Sequence, residues 1–129
     1  MKLTYWYRTG FILMGLGVVT GAFGAHTLKN ILEPARLQAW QTAVLYHFIH
    51  SLGLLLIAHI GGSQPKMVWS LRLLLAGILC FSGSLYVLAC KDLIGANVSW
   101  LGPITPIGGV LWIMAWVLAA VHIKQPKTQ

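Results

Sequence analysis

The side chains best able to do chemistry are two histidines and a tyrosine set into an apolar run, LYHFIHSLGLLLIAHIG, at residues 45–61. Tyr46 and His50 are four residues apart, the spacing that puts two side chains on one face of a helix. His47 lies beside Tyr46 and three residues before His50. Imidazole near neutral pH can exchange a proton, ligate a metal or hydrogen-bond in either sense. Ser82 and Tyr86 repeat the four-residue spacing further along, in Phe81-Ser82-Gly83-Ser84-Leu85-Tyr86. His26 and Thr105 stand at the ends of two other apolar runs. The candidate ligand-binding set is therefore His26, Tyr46, His50, Ser82, Tyr86 and Thr105.

Each familiar chemistry asks for more than this set holds. Acyl transfer needs a nucleophile, a base and an orienting acid. Ser82 or Ser84 with His50 could supply the first two, but the only acids are Glu33 and Asp92, both outside the apolar runs. No catalytic residue is expected, and the same shortage argues against a proton pump, which uses intramembrane carboxylates. His47 and His50 lack further ligands, so no metal site is expected. Haem would need axial histidines on facing helices, and His26 with His50 is the available pair. The glycine-rich Gly15-Leu16-Gly17-Val18-Val19-Thr20-Gly21 lies inside an apolar run and cannot serve as a nucleotide loop.

The elements that position these residues follow from composition. Of 129 residues, 57% are hydrophobic and 9% charged, where soluble domains are about a quarter charged. Four apolar runs, at about 9–26, 36–60, 68–89 and 104–123, are each long enough to cross a bilayer. They use up the chain, so residues 1–129 form one all-α, polytopic membrane domain, a compact bundle of four transmembrane helices. Met1 to Ala25 has features of a signal peptide, with Lys2 and Arg8 before an apolar stretch and Ala22-Phe23-Gly24 as a cleavage-like site. It is expected to be retained as the first span.

Small residues mark the expected packing faces: Gly17 and Gly21 with Ala25 on the first span, Gly83 on the third, and Gly108 and Gly109 on the fourth. Leu28 to Trp40 mixes charged and apolar residues as headgroup-level backbone does, with Pro34 suited to a first helical position. Gly61 to Lys66 reads as a tight polar turn. Thr105-Pro106 reads as an N-cap followed by the first helical residue. The glycines after it leave the helix start open to a neighbouring helix or to a polar ligand. Cys80 and Cys90 share one run, about 15 Å apart along a helix. They are packing residues, too distant for a disulfide.

Charge sets the orientation. The net charge is +7, and its Lys and Arg residues are scattered rather than clustered on a polar face, so no nucleic-acid partner is expected. With four spans, Lys2, Arg8, Lys66, Arg72, Lys124 and Lys127 fall on one side, and Lys29, Arg36 and Lys91 on the other. The positive-inside rule then places both termini in the cytoplasm. His26, Tyr46, His47, His50, Tyr86 and Thr105 all fall in the outer half of the bundle, whereas His59 and His122 sit near the cytoplasmic face.

Four ordered motifs carry a family likeness. Gly21-Ala22-Phe23-Gly24-Ala25-His26, the Tyr46-x-x-x-His50 pair, Phe81 to Tyr86, and Thr105-Pro106-Ile107-Gly108-Gly109 closely resemble the YgdD/YwdK family of small bacterial inner-membrane proteins, a domain of unknown function. The resemblance runs from about Phe11 to Val121. It implies a four-span helical protein of the bacterial inner membrane and no established activity. His26, Tyr46 and His50 belong to the family's motifs, and His47 does not.

Buried Tyr, Ser and neutral His can simply bond helices together, at about 0.6–2 kcal/mol a contact. Polar groups inside a span also mark binding sites. The expected function is thus that of a non-enzymatic membrane protein whose outer-half pocket takes a lipid, a quinone-like ligand or a membrane-protein partner. The rivals are an oligomeric channel or transporter built on the Gly17-x-x-x-Gly21 face, and a redox component using haem or quinone. No cofactor can be named from the residues.

Overall fold

Without a hydrophobic force between helices in lipid, close approach through small residues and cross-helix hydrogen bonds must hold a bundle together. Both are abundant here. The computed structural model describes residues 3–61 and 64–123. These form α1 (Leu3–His26), α2 (Pro34–Gly61), α3 (Pro65–Ala89), the one-turn α4 (Lys91–Ile94) and α5 (Ile104–His122). Single 3₁₀ turns occupy Leu28–Asn30 and Ser99–Leu101. Four helices, α1, α2, α3 and α5, are long and apolar enough to cross a membrane. Gly62 and Ser63 of the expected turn, and Lys2, Lys124 and Lys127 of the charge count, lie outside the described residues.

The helices begin where their residues allow. Pro34 and Pro65 are the first residues of α2 and α3, where a missing N–H removes no helical bond. α1 starts earlier than residue 9, because Trp6 is buried in the core and continues the helix back to Leu3. Thr105 is not the N-cap of α5. Pro103 occupies that place without a side-chain bond, Thr105 is the second helical residue, and its hydroxyl meets Ser84 at 2.6 Å instead. Pro106 is tolerated third because the first four N–H groups of a helix have no partner inside it.

α1 lies antiparallel to α2 along a glycine seam. A methyl group on Gly10 would strike Leu55, on Gly17 Phe48 and on Gly24 Trp40, while on Gly21 it would only touch Val44 at ordinary contact distance. Gly10, Gly17 and Gly24 recur every seven residues, the repeat of two helices wound left-handed about each other. The Gly17-x-x-x-Gly21 face is therefore filled by α2 of the same molecule. Trp40 locks the seam by donating its indole N–H to the Thr20 carbonyl at 2.9 Å.

α3 and α5 pair through reciprocal gaps: Gly77 receives the edge of Trp112, and Gly108 receives the backbone of Phe81. Trp116 enters a further gap at Gly53 of α2. Gly83 faces no neighbouring helix, and Gly109 touches only the Phe81 ring at ordinary contact distance, so neither is required for close packing. Leu54, Met67, Leu71, Leu74, Ile78 and Ala115 share one core with Trp6, Leu13 and Trp112, so all four long helices contribute.

The middle of α3, Ile78–Gly83, is π-helical. Such widened turns are rare and concentrate at functional positions. Ser82 ties this segment to α2 by donating to the Ala43 carbonyl at 2.8 Å. Ser84, just beyond, donates to the Phe81 carbonyl and meets Thr105 of α5. Buried Ser51 and Ser70 likewise donate to the carbonyls of His47 and Ala115. Each buried hydroxyl is thus satisfied, as a low-dielectric interior demands.

The end holding the α1–α2 and α3–α5 connections is fastened by Arg36. Its guanidinium donates to the Leu88 carbonyl at 3.2 Å and pairs with Asp92 at 3.5 Å. Leu88 is in the last turn of α3, where carbonyls lack helical donors. Gly95 ends α4 at φ +69°, a left-handed conformation that suits glycine. Cys80 and Cys90 are free thiols.

Candidate functional site

Two polar clusters occupy neighbouring faces of α2. The first begins with His50. As the helix turns, its Nδ1 reaches the Tyr46 carbonyl one turn back at 2.8 Å. A carbonyl can only accept, so Nδ1 carries the proton, and in the neutral ring Nε2 is left as a hydrogen-bond acceptor. No partner for Nε2 exists among the described residues. The imidazole lies flat on the Trp112 indole, with centroids 3.6 Å apart and planes 5° apart. Tyr46 is parallel to the same indole at 5.7 Å. Trp112 is itself fixed, donating its indole N–H to the Leu74 carbonyl at 3.2 Å and filling the Gly77 gap.

These rings form one wall of a groove of about 440 Å³ between α2, α3 and α5. Its lining is Tyr46, His50, Phe81 of the π-helical segment, Pro106, Gly109, Val110, Trp112, Ile113 and Trp116. None of these is charged. His50 is 95% buried although it lines the groove. It lies about 24 Å along α2 from Pro34 and about 16 Å from Gly61, which is membrane-interior depth.

The second cluster joins three helices. Thr20 of α1 donates to its own Gly17 carbonyl at 3.1 Å and meets the Tyr86 hydroxyl of α3 at 3.1 Å. Tyr86 meets Nδ1 of His47 on α2 at 3.0 Å. Nε2 of His47 is buried without a hydrogen-bond partner. Trp40 closes the cluster, its ring 4.6 Å from that of Tyr86.

The six residues singled out from the sequence do not converge on one pocket. Tyr46 and His50 line the groove. Tyr86 belongs to the three-helix cluster, Ser82 bonds α2, and Thr105 bonds Ser84. His26 is exposed at the end of α1. The reason is angular: Tyr46 and Tyr86 leave their helices on different sides, which depth in the membrane does not reveal. Haem does not fit the pair His26 and His50. The α1–α2 register sets Gly24 against Trp40, so His26 lies more than ten residues of α2, over about 15 Å, from His50. Among the described residues, no group of three or more His, Cys, Asp or Glu side chains gathers as metal ligands would.

His47, which the sequence reading weighed but left out of the candidate set, is 4% exposed and faces the bundle interior. Sequence reasoning missed Thr20, Trp40, Trp112 and Gly77. The Gly10, Gly17, Gly24 repeat was the available signal for the α1 seam. Nothing in the sequence pairs Trp112 with His50.

Comparison with known proteins adds a family. A family model described as "Protein of unknown function (DUF423)" matches residues 20–109. The UPF0382 membrane protein YwdK of Bacillus subtilis is 41% identical over 122 residues, covering 86% of this chain and 93% of the relative. The UPF0382 membrane protein SSP2132 of Staphylococcus saprophyticus is 44% identical over 117 residues, with the same coverage. A UPF0382 membrane protein of Staphylococcus epidermidis is also 44% identical, over 86% of this chain and 92% of the relative. No solved structure matches.

Proposed function

This chain belongs to the DUF423 family of membrane proteins, and from that premise we propose that it is a non-enzymatic, multi-pass protein of the bacterial inner membrane that binds a membrane-dissolved ligand in the groove beside His50. The observation that carries the reading is the state of the His50 ring: buried, held by Tyr46 and Trp112, and left with one open acceptor atom in a lining otherwise nearly all apolar. A polar atom kept unpaired inside a membrane is unfavourable unless something fills the need.

The absence of charge from the lining and its depth favour a neutral ligand with an apolar body. A phosphate headgroup belongs at the surface, about 15 Å or more away. The excess of Lys and Arg on the side of both termini supports a cytoplasmic location for them. A channel assembled through Gly17 and Gly21 loses its interface, since Phe48 and Val44 of the same chain occupy that face.

The test is native mass spectrometry of the protein released gently from membranes, beside its His50→Ala variant. An apolar species that accompanies the wild type and is lost from the variant is the expected result. A wild-type preparation that carries no such species, even after incubation with total membrane lipid extract, would sink the reading.

A further inference from the structure

The proton on His50 restricts the ligand further. Resting on the groove-binding reading above, we infer that the ligand is an isoprenoid-type hydroquinone, taken in its reduced form in preference to the quinone. Nδ1–H of His50 is committed to the Tyr46 carbonyl at 2.8 Å, so Nε2 offers a lone pair and accepts only from a donor. A hydroquinone O–H supplies that donor. A quinone carbonyl sets lone pair against lone pair. Tyr46, whose hydroxyl can donate or accept, does not discriminate between the two forms.

Shape and depth agree with the same class. The rings of Tyr46, His50 and Trp112 lie within about 11° of parallel, and Phe81 stands across them with its centroid 5.0 Å from Tyr46 and 4.7 Å from Trp112. Aromatic walls of this kind favour a flat ring in stacked or edge contact. The rest of the lining, Pro106, Val110 and Ile113 among it, suits a hydrocarbon tail. Uncharged lining at mid-membrane depth matches an uncharged ligand that dissolves in the bilayer interior.

His50 is held in place for this role. Its ring cannot turn to exchange its nitrogens without leaving the Tyr46 carbonyl and the face of Trp112. Trp112 in turn is keyed to Leu74 and Gly77. The preference for the reduced form is therefore built into three helices rather than into one side chain.

The experiment is equilibrium binding of decylhydroquinone, kept reduced by excess dithionite, and of decylbenzoquinone, to the full-length protein in detergent micelles. Intrinsic tryptophan fluorescence reports occupancy, because Trp112 and Trp116 line the groove. The expected result is about tenfold tighter binding of the hydroquinone. That ratio raises the two-electron midpoint of the bound couple by about 30 mV. In His50→Phe, which keeps a flat ring on Trp112 but has no acceptor, the preference falls to about one. Equal binding of the two forms by the wild type, tighter binding of the quinone, or a preference that survives in His50→Phe overturns the inference and leaves groove binding intact. Binding of neither form, with apolar species still found by native mass spectrometry, overturns the ligand class alone. Binding of neither form with no species found removes both readings.

Discussion

The imidazole of His50 and the indole of Trp112 are stacked at 3.6 Å, and the far side of that contact is a glycine. Gly77 leaves room for the pyrrole edge of Trp112, whose N–H bonds the Leu74 carbonyl. A methyl group there would overlap the indole. Gly77→Ala should lower stability by about 1–3 kcal/mol, the usual penalty of overpacking. Gly15→Ala, which meets nothing within 4 Å, should change it by less than about 0.5 kcal/mol. Unfolding of the two variants in mixed micelles is the measurement. Equal stability would mean that Trp112 is not seated against Gly77.

Tyr86 joins Thr20 and His47 through one hydroxyl. Tyr86→Phe removes both bonds, whereas Thr20→Val removes one of them. Interhelical bonds of this kind average about 0.6 kcal/mol in membrane proteins, with an upper range near 2 kcal/mol. The double variant should be no less stable than Tyr86→Phe by more than a few tenths. Full additivity in the double-mutant cycle would show that the two hydroxyls act independently.

Arg36 holds a carbonyl and a carboxylate at once, but the two contacts are unequal. Asp92 is 67% exposed, and exposed ion pairs contribute about 0–1 kcal/mol. Asp92→Asn should be nearly silent. Arg36→Ala also strips the Leu88 carbonyl of its donor and should be the more destabilising of the two. The reverse order in thermal unfolding would make the ion pair the principal contact.

The orientation is open to cysteine labelling in whole cells, with Cys80 and Cys90 replaced by alanine. Asn97→Cys, in the α4–α5 connection, should react with a membrane-impermeant maleimide from outside. Gln64→Cys should react only after permeabilisation. The opposite pattern would place both termini outside.

Cys90, just past the end of α3, should alkylate slowly. Burial pushes its thiol pKa above the ordinary value, so less thiolate is present at a given pH. In a Cys80→Ala background, iodoacetamide should modify Cys90 severalfold more slowly than Asn97→Cys at pH 8, and the gap should narrow as pH rises toward 10. Equal rates at pH 8 would show Cys90 to be fully exposed.

Four spans, their order and their ends near residues 26, 34, 89 and 122 are written in the sequence. An apolar run long enough to satisfy its own backbone inside lipid has few alternatives to a helix. The depth of each polar residue follows as well, because rise along a helix is fixed. The prolines show how far such rules reach: Pro34 opens α2 where expected, whereas Pro65, read as part of a turn ahead of a span starting near 68, already opens α3, and Thr105 turns to Ser84 instead of capping α5.

Which side of a helix meets which neighbour is a different kind of information. Tyr46 and His47 are adjacent in the chain, yet one lines a groove with Trp112 and the other reaches Tyr86 and, through it, Thr20. Lipid and protein interior are equally apolar, so hydrophobic patterning does not separate a lipid-facing side from a packed one. The choice falls to small-residue gaps and single hydrogen bonds: Gly17 accepting Phe48, Gly77 accepting Trp112, Ser82 finding the Ala43 carbonyl. Sequence alone determined that this is a four-span membrane helix bundle and how far along its helices the histidines lie. The tertiary structure alone decided that His50 rests on Trp112 beside an open groove and that His47 is enclosed, because those pairings arise from complementary shapes on separate helices.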